Sequence, residues 1–106
     1  MTLEQYIMAT RNAMNVTKPV PAIICKDGFT LSVQANEYAY CSPRWNDGGW
    51  HKYEVGYPSE RCEELMPYID GEDSNPTQTV YGYVPESIIM DVINRHGGFA
   101  DLEAIQ

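Results

Sequence analysis

The sequence predicts a two-layer α+β sandwich, a mainly antiparallel four-stranded sheet with about three helices in the order α-β-β-β-α-β-α. Three observations carry that expectation. Apolar residues recur at helical spacing near both ends, alternating apolar and polar segments lie between, and Gly, Pro, Asn and Asp cluster where one pattern gives way to the next. The 106 residues suffice for a single domain, 1–106, and are too few for two ordinary ones. A chain of this size buries roughly 65% of its unfolded surface. Its 43% apolar and 11% aromatic content can furnish a core without disulfides.

The first helix is expected from Thr2, a suitable cap, through LEQYIMATRNAMN to Asn15, with Leu3, Tyr6, Ile7, Ala13 and Met14 at helical spacing. Pro19 and Pro21 forbid its continuation, since proline lacks the N–H and drives its predecessor to an extended backbone. AIICKDGFTLSVQA reads as a hairpin: Ala22 to Cys25, a Lys26-Asp27-Gly28 turn, then Phe29 to Ala35 with Phe29, Leu31, Val33 and Ala35 on one face. Large residues change parity at Tyr38 and Tyr40, which predicts a bulge or corner after Asn36.

Asn46-Asp47-Gly48-Gly49 is a strong turn signal. WHKYEVGY beyond it alternates His51, Tyr53, Val55 and Tyr57 against Trp50, Lys52, Glu54 and Gly56, a third strand expected to pair antiparallel with Tyr38 to Cys41 and to leave Trp50 at least partly exposed. Pro58-Ser59-Glu60 opens a helix, ERCEELMPYI, striped by Cys62, Leu65, Met66 and Ile69 and ended or kinked by Pro67. TVYGYV is the fourth strand. Pro85 suits the first position of the helix SIIMDVINRHGG, and Gly97 closes it. The tail FADLEAIQ either docks through Phe99, Leu102 and Ile105 or frays.

Fifteen acidic residues against seven basic ones give a net charge of -8, which opposes direct contact with nucleic acid or anionic membranes. The same charge suits a basic protein partner as well as plain solubility. MTLEQYIMATRNAMN has no basic leader region or long apolar run, and no stretch approaches a membrane span. Cys25, Cys41 and Cys62 are an odd number at wide spacing, fitting a reducing compartment, so a cytoplasmic location is expected.

Neither a cofactor nor a metal is expected. The histidines and cysteines lack ligand spacing, and His96 falls in a helix C-terminal turn where partial positive charge complements the dipole. Asp70, Glu72 and Asp73 do not follow the calcium-loop order. Gly48-Gly49 and Gly97-Gly98 do not stand between a strand and a helix start, as a phosphate cradle requires. Cys41 and His51 would face each other at a hairpin mouth and form a minimal thiol nucleophile pair, without an evident third member.

Binding residues are more concentrated. Arg44, Trp45, Trp50, Tyr38, Tyr40 and Tyr53 are of the types that dominate interface hot spots, and Arg44 has a tryptophan to stack on or Glu54 to pair with. Glu60, Glu63 and Glu64, followed by Asp70, Glu72 and Asp73, form an acidic strip with only Arg61 against it: an auxiliary docking surface or a solvated face. The sequence therefore points first to a non-catalytic protein-binding module contacting its partner through Arg44, Trp45, Trp50 and Tyr40. The alternatives are a small thiol enzyme using Cys41 and His51, and a subunit of a homo-oligomer.

LSVQANEYAYCSPR, EVGYPSE and TVYGYVPESII resemble stretches of short, uncharacterised proteins of bacteriophages and integrated elements of gut bacteria, across roughly residues 28–97. The resemblance implies a protein that binds and blocks a host protein. Arg44, Trp45 and Trp50 would then be contacts, and the acidic surface would resemble nucleic acid to a defence nuclease.

Overall fold

The computed structural model describes residues 1–71 and 74–100. It is a mixed α+β globule whose sheet has four strands in the order β1-β2-β3-β4, every neighbouring pair antiparallel. Helix α1 is Leu3–Thr10, β1 is Ile23–Ile24, β2 is Thr30–Gln34, β3 is Lys52–Gly56, a 3-10 helix spans Glu63–Tyr68, β4 is Val80–Pro85 and α2 is Glu86–Arg95. The element order and the four-stranded antiparallel sheet are those the sequence predicts.

A reciprocal cap starts α1. The Thr2 hydroxyl accepts from the Gln5 N–H at 3.0 Å, and the Gln5 side chain accepts from the Thr2 N–H at 2.8 Å. The helix stops at Thr10 rather than Asn15. Asn12 explains the early end: its side-chain oxygen takes the N–H groups of Met14 and Asn15 and so offers the backbone a local alternative to helix.

The hairpin of β1 and β2 pairs Ile23 with Leu31, and Gly28 supplies the positive φ of 93° that its turn demands. Leu31 and Val33 of β2, Tyr53 and Val55 of β3, and Tyr81 and Val84 of β4 point inward. They meet Leu3, Tyr6 and Ile7 of α1, Leu65 of the 3-10 helix, and Ile89, Val92 and Ile93 of α2 in one buried cluster. Each large apolar side chain so buried contributes about 1.5–3 kcal/mol of hydrophobic stabilisation. Phe99 packs against this cluster, and its residue bridges Cys25, as the docking expectation for that part of the tail requires. Leu102 and Ile105 lie outside the described residues, as do Glu72 and Asp73.

Four expectations need correction. Tyr38 to Cys41 is not a strand, and β3 pairs with β2 instead, Val33 opposite Val55. Asn36 is the cause: its side-chain oxygen accepts from the N–H groups of Tyr38 and Ala39 at 2.8 and 3.0 Å, consuming ladder donors in a local turn. Trp50 is buried, because it precedes β3 in a loop that turns its indole into the core, where Nε1 donates to the Trp45 carbonyl at 3.0 Å. The expected helix at 60–69 is a tighter 3-10 helix; Pro67 has no N–H for the α-helical bond back to Glu63. Finally, Pro85 is the last residue of β4 and precedes the first turn of α2.

β4 carries an irregularity that shapes the outer face. Tyr53 is opposite Val84 and Val55 is opposite Tyr81, so Gly82 and Tyr83 together face Glu54 alone. This is a β-bulge. Tyr83 takes a φ of 53°, a left-handed conformation uncommon for an aromatic residue.

Candidate functional site: an aromatic groove on the outer sheet face

The bulge displaces Tyr83 outward, and three further contacts set it beside Tyr40. The Tyr83 N–H donates to the Tyr40 carbonyl at 2.9 Å, and the two rings stack with centroids 6.1 Å apart. The Tyr40 N–H donates to Glu54 Oε2 at 2.8 Å, which anchors the turn to β3 at the residue opposite the bulge. Tyr40 lies directly over Gly82, where an added Cβ would come 3.4 Å from the Tyr40 Cβ. Glycine thus leaves room for a close ring approach.

Arg44 completes this end. Its guanidinium sits 5.6 Å from the Tyr40 ring centre, in cation-π range, and Nη2 donates to the Tyr38 carbonyl at 3.2 Å. The expected tryptophan or Glu54 partnership of Arg44 is replaced by these two tyrosines. Beyond Tyr40 the surface opens into a groove of about 420 Å³ lined by Tyr40, Pro67, Tyr68, Ile69, Asp70, Gly82 and Tyr83. That volume falls in the range of ligand-binding clefts.

Tyrosine hydroxyls divide by location. Inward-facing Tyr6 and Tyr53 donate to the backbone carbonyls of Pro21 and Trp50, at 2.8 and 3.4 Å, and Tyr81 donates to that of Pro76. Among the described residues, the hydroxyls of Tyr40, Tyr68 and Tyr83 donate to no protein group. Tyr40 and Tyr83 are 42% and 44% exposed, so neither ring is committed to the core.

The other expected contacts are dispersed. Trp45 is 48% exposed, with its Nε1 donating to the Gly48 carbonyl at 2.7 Å, whereas Trp50 is only 4% exposed. Glu63 is held by Arg61 at 2.6 Å and Glu64 by Arg95 at 2.9 Å, so two acids of the strip already have cations. Glu60 Oε1 stands 3.5 Å from His96 Nε2.

Sequence reasoning missed the role of His96. The ring is buried, stacked on Phe29 at 3.9 Å and 5°, with Nδ1 2.6 Å from Asp27 Oδ2. Asp27 is held below the ordinary carboxylate range, first by the Phe29 N–H that Oδ1 accepts at 2.9 Å and then by His96. A charged Asp27 places the imidazole proton on Nδ1, where it donates. Nε2 is buried without a hydrogen bond. The Asp27-Gly28 turn and Gly97-Gly98 lock the two segments together, with the Lys26 N–H donating to the Gly98 carbonyl at 3.0 Å.

The Cys41 thiol is buried, and its hydrogen bonds run to the carbonyls of Asn36 and Pro43, while His51 is exposed. Burial pushes the Cys41 thiol up, and it pushes Cys25 up to about 11, with Asp27 and Cys62 adding to the effect. Both remain thiols at neutral pH, the weak nucleophilic form. Among the described residues, no group of histidine, cysteine and carboxylate side chains is arranged to hold a metal, and no helix is long and apolar enough to cross a membrane.

Comparison of the chain with protein-family models, curated proteins and solved structures gives no match.

Proposed function

We propose that this chain is a small non-catalytic protein-binding module, and that its contact surface is the groove lined by Tyr40, Tyr68 and Tyr83, with Arg44 beside Tyr40. The observation that carries the reading is the exposed Tyr40–Tyr83 stack, held up by a left-handed tyrosine on a bulge. Unfavourable backbone geometry persists where the surrounding structure enforces it, and such sites cluster where proteins bind or react. Tyrosine and arginine are the residues that dominate interface energetics. A net charge of -8 favours a basic partner. In the mobile-element setting suggested by the sequence resemblance, that partner would be a host protein whose own binding surface is basic.

The thiol reading draws no support from the geometry, since Cys41 is turned inward and bonded to carbonyls. The test of the binding reading is selection of a random peptide display library against the immobilised chain, repeated with Tyr40→Ser. Enrichment of ligands that the variant fails to hold is the expected result. Ligands equally retained by Tyr40→Ser would move the contact surface elsewhere.

A further inference from the structure

We infer that the occupant of the groove is an extended, polyproline-II segment of a partner protein carrying at least one lysine or arginine; this deepens the binding reading above and rests on it. Three observations point to that chemistry.

The first is the nature of the walls. Tyr40, Tyr68, Tyr83 and Pro67 offer ring faces and edges, and the three tyrosine hydroxyls have no acceptor among the described residues. A polyproline-II chain makes no internal hydrogen bonds and presents its carbonyl oxygens outward, so it supplies both apolar rings to pack and acceptors for those hydroxyls.

The second is length. The groove runs from Tyr40, which lies over Gly82 on β4, to the Ile69–Asp70 segment, where Ile69 bridges Tyr81. One inter-strand spacing is about 5 Å, which a polyproline-II chain crosses in about two residues. A proline-containing piece of this chain is held beside β2. Gln34 brackets Val20 of Lys18-Pro19-Val20-Pro21, accepting from its N–H at 2.9 Å and donating to its carbonyl at 3.0 Å. Pro19 lines the neighbouring concavity beside Tyr38 and Glu54.

The third is charge. Asp70 lines the far end of the groove and is exposed, and among the described residues its carboxylate has no salt-bridge partner. Arg44 stands over the Tyr40 ring, outside the groove lining. A basic side chain following the prolines would reach Asp70, while an acidic one there would meet repulsion.

The experiment is an amide NMR titration of the full chain with a capped decapeptide of prolines ending in arginine. Two controls replace every proline by alternating glycine and serine, or the arginine by glutamine. The expected result is shifts centred on Tyr40, Ile69, Gly82 and Tyr83, weakened about tenfold by the loss of either Tyr83 or the prolines, and weakened by Asp70→Asn, an exposed change that leaves the fold intact. Absence of groove shifts with the proline peptide, or equal shifts with the glycine-serine peptide, overturns the inference. If display selection nevertheless yields groove ligands without proline, the binding reading stands and only the ligand class falls. If selection also yields none that depend on Tyr40, both fall together.

Discussion

Tyr83 is tied to Tyr40 twice, by an N–H donated to its carbonyl at 2.9 Å and by a ring stack with centroids 6.1 Å apart. The backbone bond fixes where the stack stands, and the bulge opposite Glu54 fixes that the ring faces outward. Function and local stability therefore pull in different directions at this residue. Its left-handed backbone suits glycine, while its exposed ring suits a ligand.

Tyr83→Gly separates the two. Glycine relieves a conformational cost on the order of 1 kcal/mol and loses the packing of a half-exposed ring, so the net change is expected within about 1 kcal/mol of zero. Urea unfolding of this variant should give nearly the parent midpoint, while its affinity for groove ligands falls about tenfold. A large loss of stability would show that the Tyr83 ring is structural.

Gly82 tests the seat under Tyr40. An added methyl would meet Tyr40 at 3.4 to 3.8 Å, ordinary van der Waals contact, so Gly82→Ala should leave the Tyr40–Tyr83 stack in place. Gly82→Val adds branches with no such room and should move the Tyr40 ring. Ring-to-ring nuclear Overhauser contacts that survive in the alanine variant and weaken in the valine variant are the expected pattern. Contacts unchanged in both would place Tyr40 away from the outer face of β4.

The tryptophans should behave as opposites. Trp50→Ala removes a buried side chain and is expected to cost about 3–5 kcal/mol. Trp45→Ala removes a half-exposed ring with one indole hydrogen bond and should cost about 1 kcal/mol. Acrylamide should quench the emission of the Trp50→Phe protein, which retains Trp45, more readily than that of Trp45→Phe. Equal quenching would mean that the two indoles share one environment.

These contrasts bear on what the sequence could disclose. Alternation in TLSVQ and KYEVG marks inward and outward faces without ambiguity, because a strand's period is fixed and one face must be buried. The turn of Tyr38 to Cys41 was hidden, since a parity change looks like a strand with a corner, whereas Asn36 takes the local donors with its side chain. Trp50 was hidden for a related reason: it lies before β3, where alternation no longer governs orientation. Of the groove's lining, Tyr40 was legible as a binding residue and Asp70 as part of an acidic strip. Tyr83 was hidden because TVYGYV puts Tyr81 and Tyr83 at the same parity, and only the bulge opposite Glu54 turns Val84 in with Tyr81 and Tyr83 out. His96 was legible as a residue near a helix end, but its contact with Asp27 spans 69 positions and no local pattern encodes it.

That long-range contact gives the acid limb of stability a specific owner. Asp27 titrates below its ordinary value of 3.8 in the folded chain, chiefly through the Phe29 N–H and then through His96. As pH falls, the unfolded chain takes up this proton first, so the contribution of Asp27 is present above about pH 4 and is lost as pH drops through the folded value. Unfolding midpoints measured from pH 6 down to pH 2 should fall for the parent chain and fall less steeply for Asp27→Asn, which lacks the titrating group. His96→Phe preserves the stack on Phe29 and the Phe29 N–H bond while deleting the Nδ1 contact, so it should retain part of the slope. Identical slopes in the parent and Asp27→Asn would transfer the acid sensitivity to other carboxylates and leave the Asp27–His96 contact as packing alone.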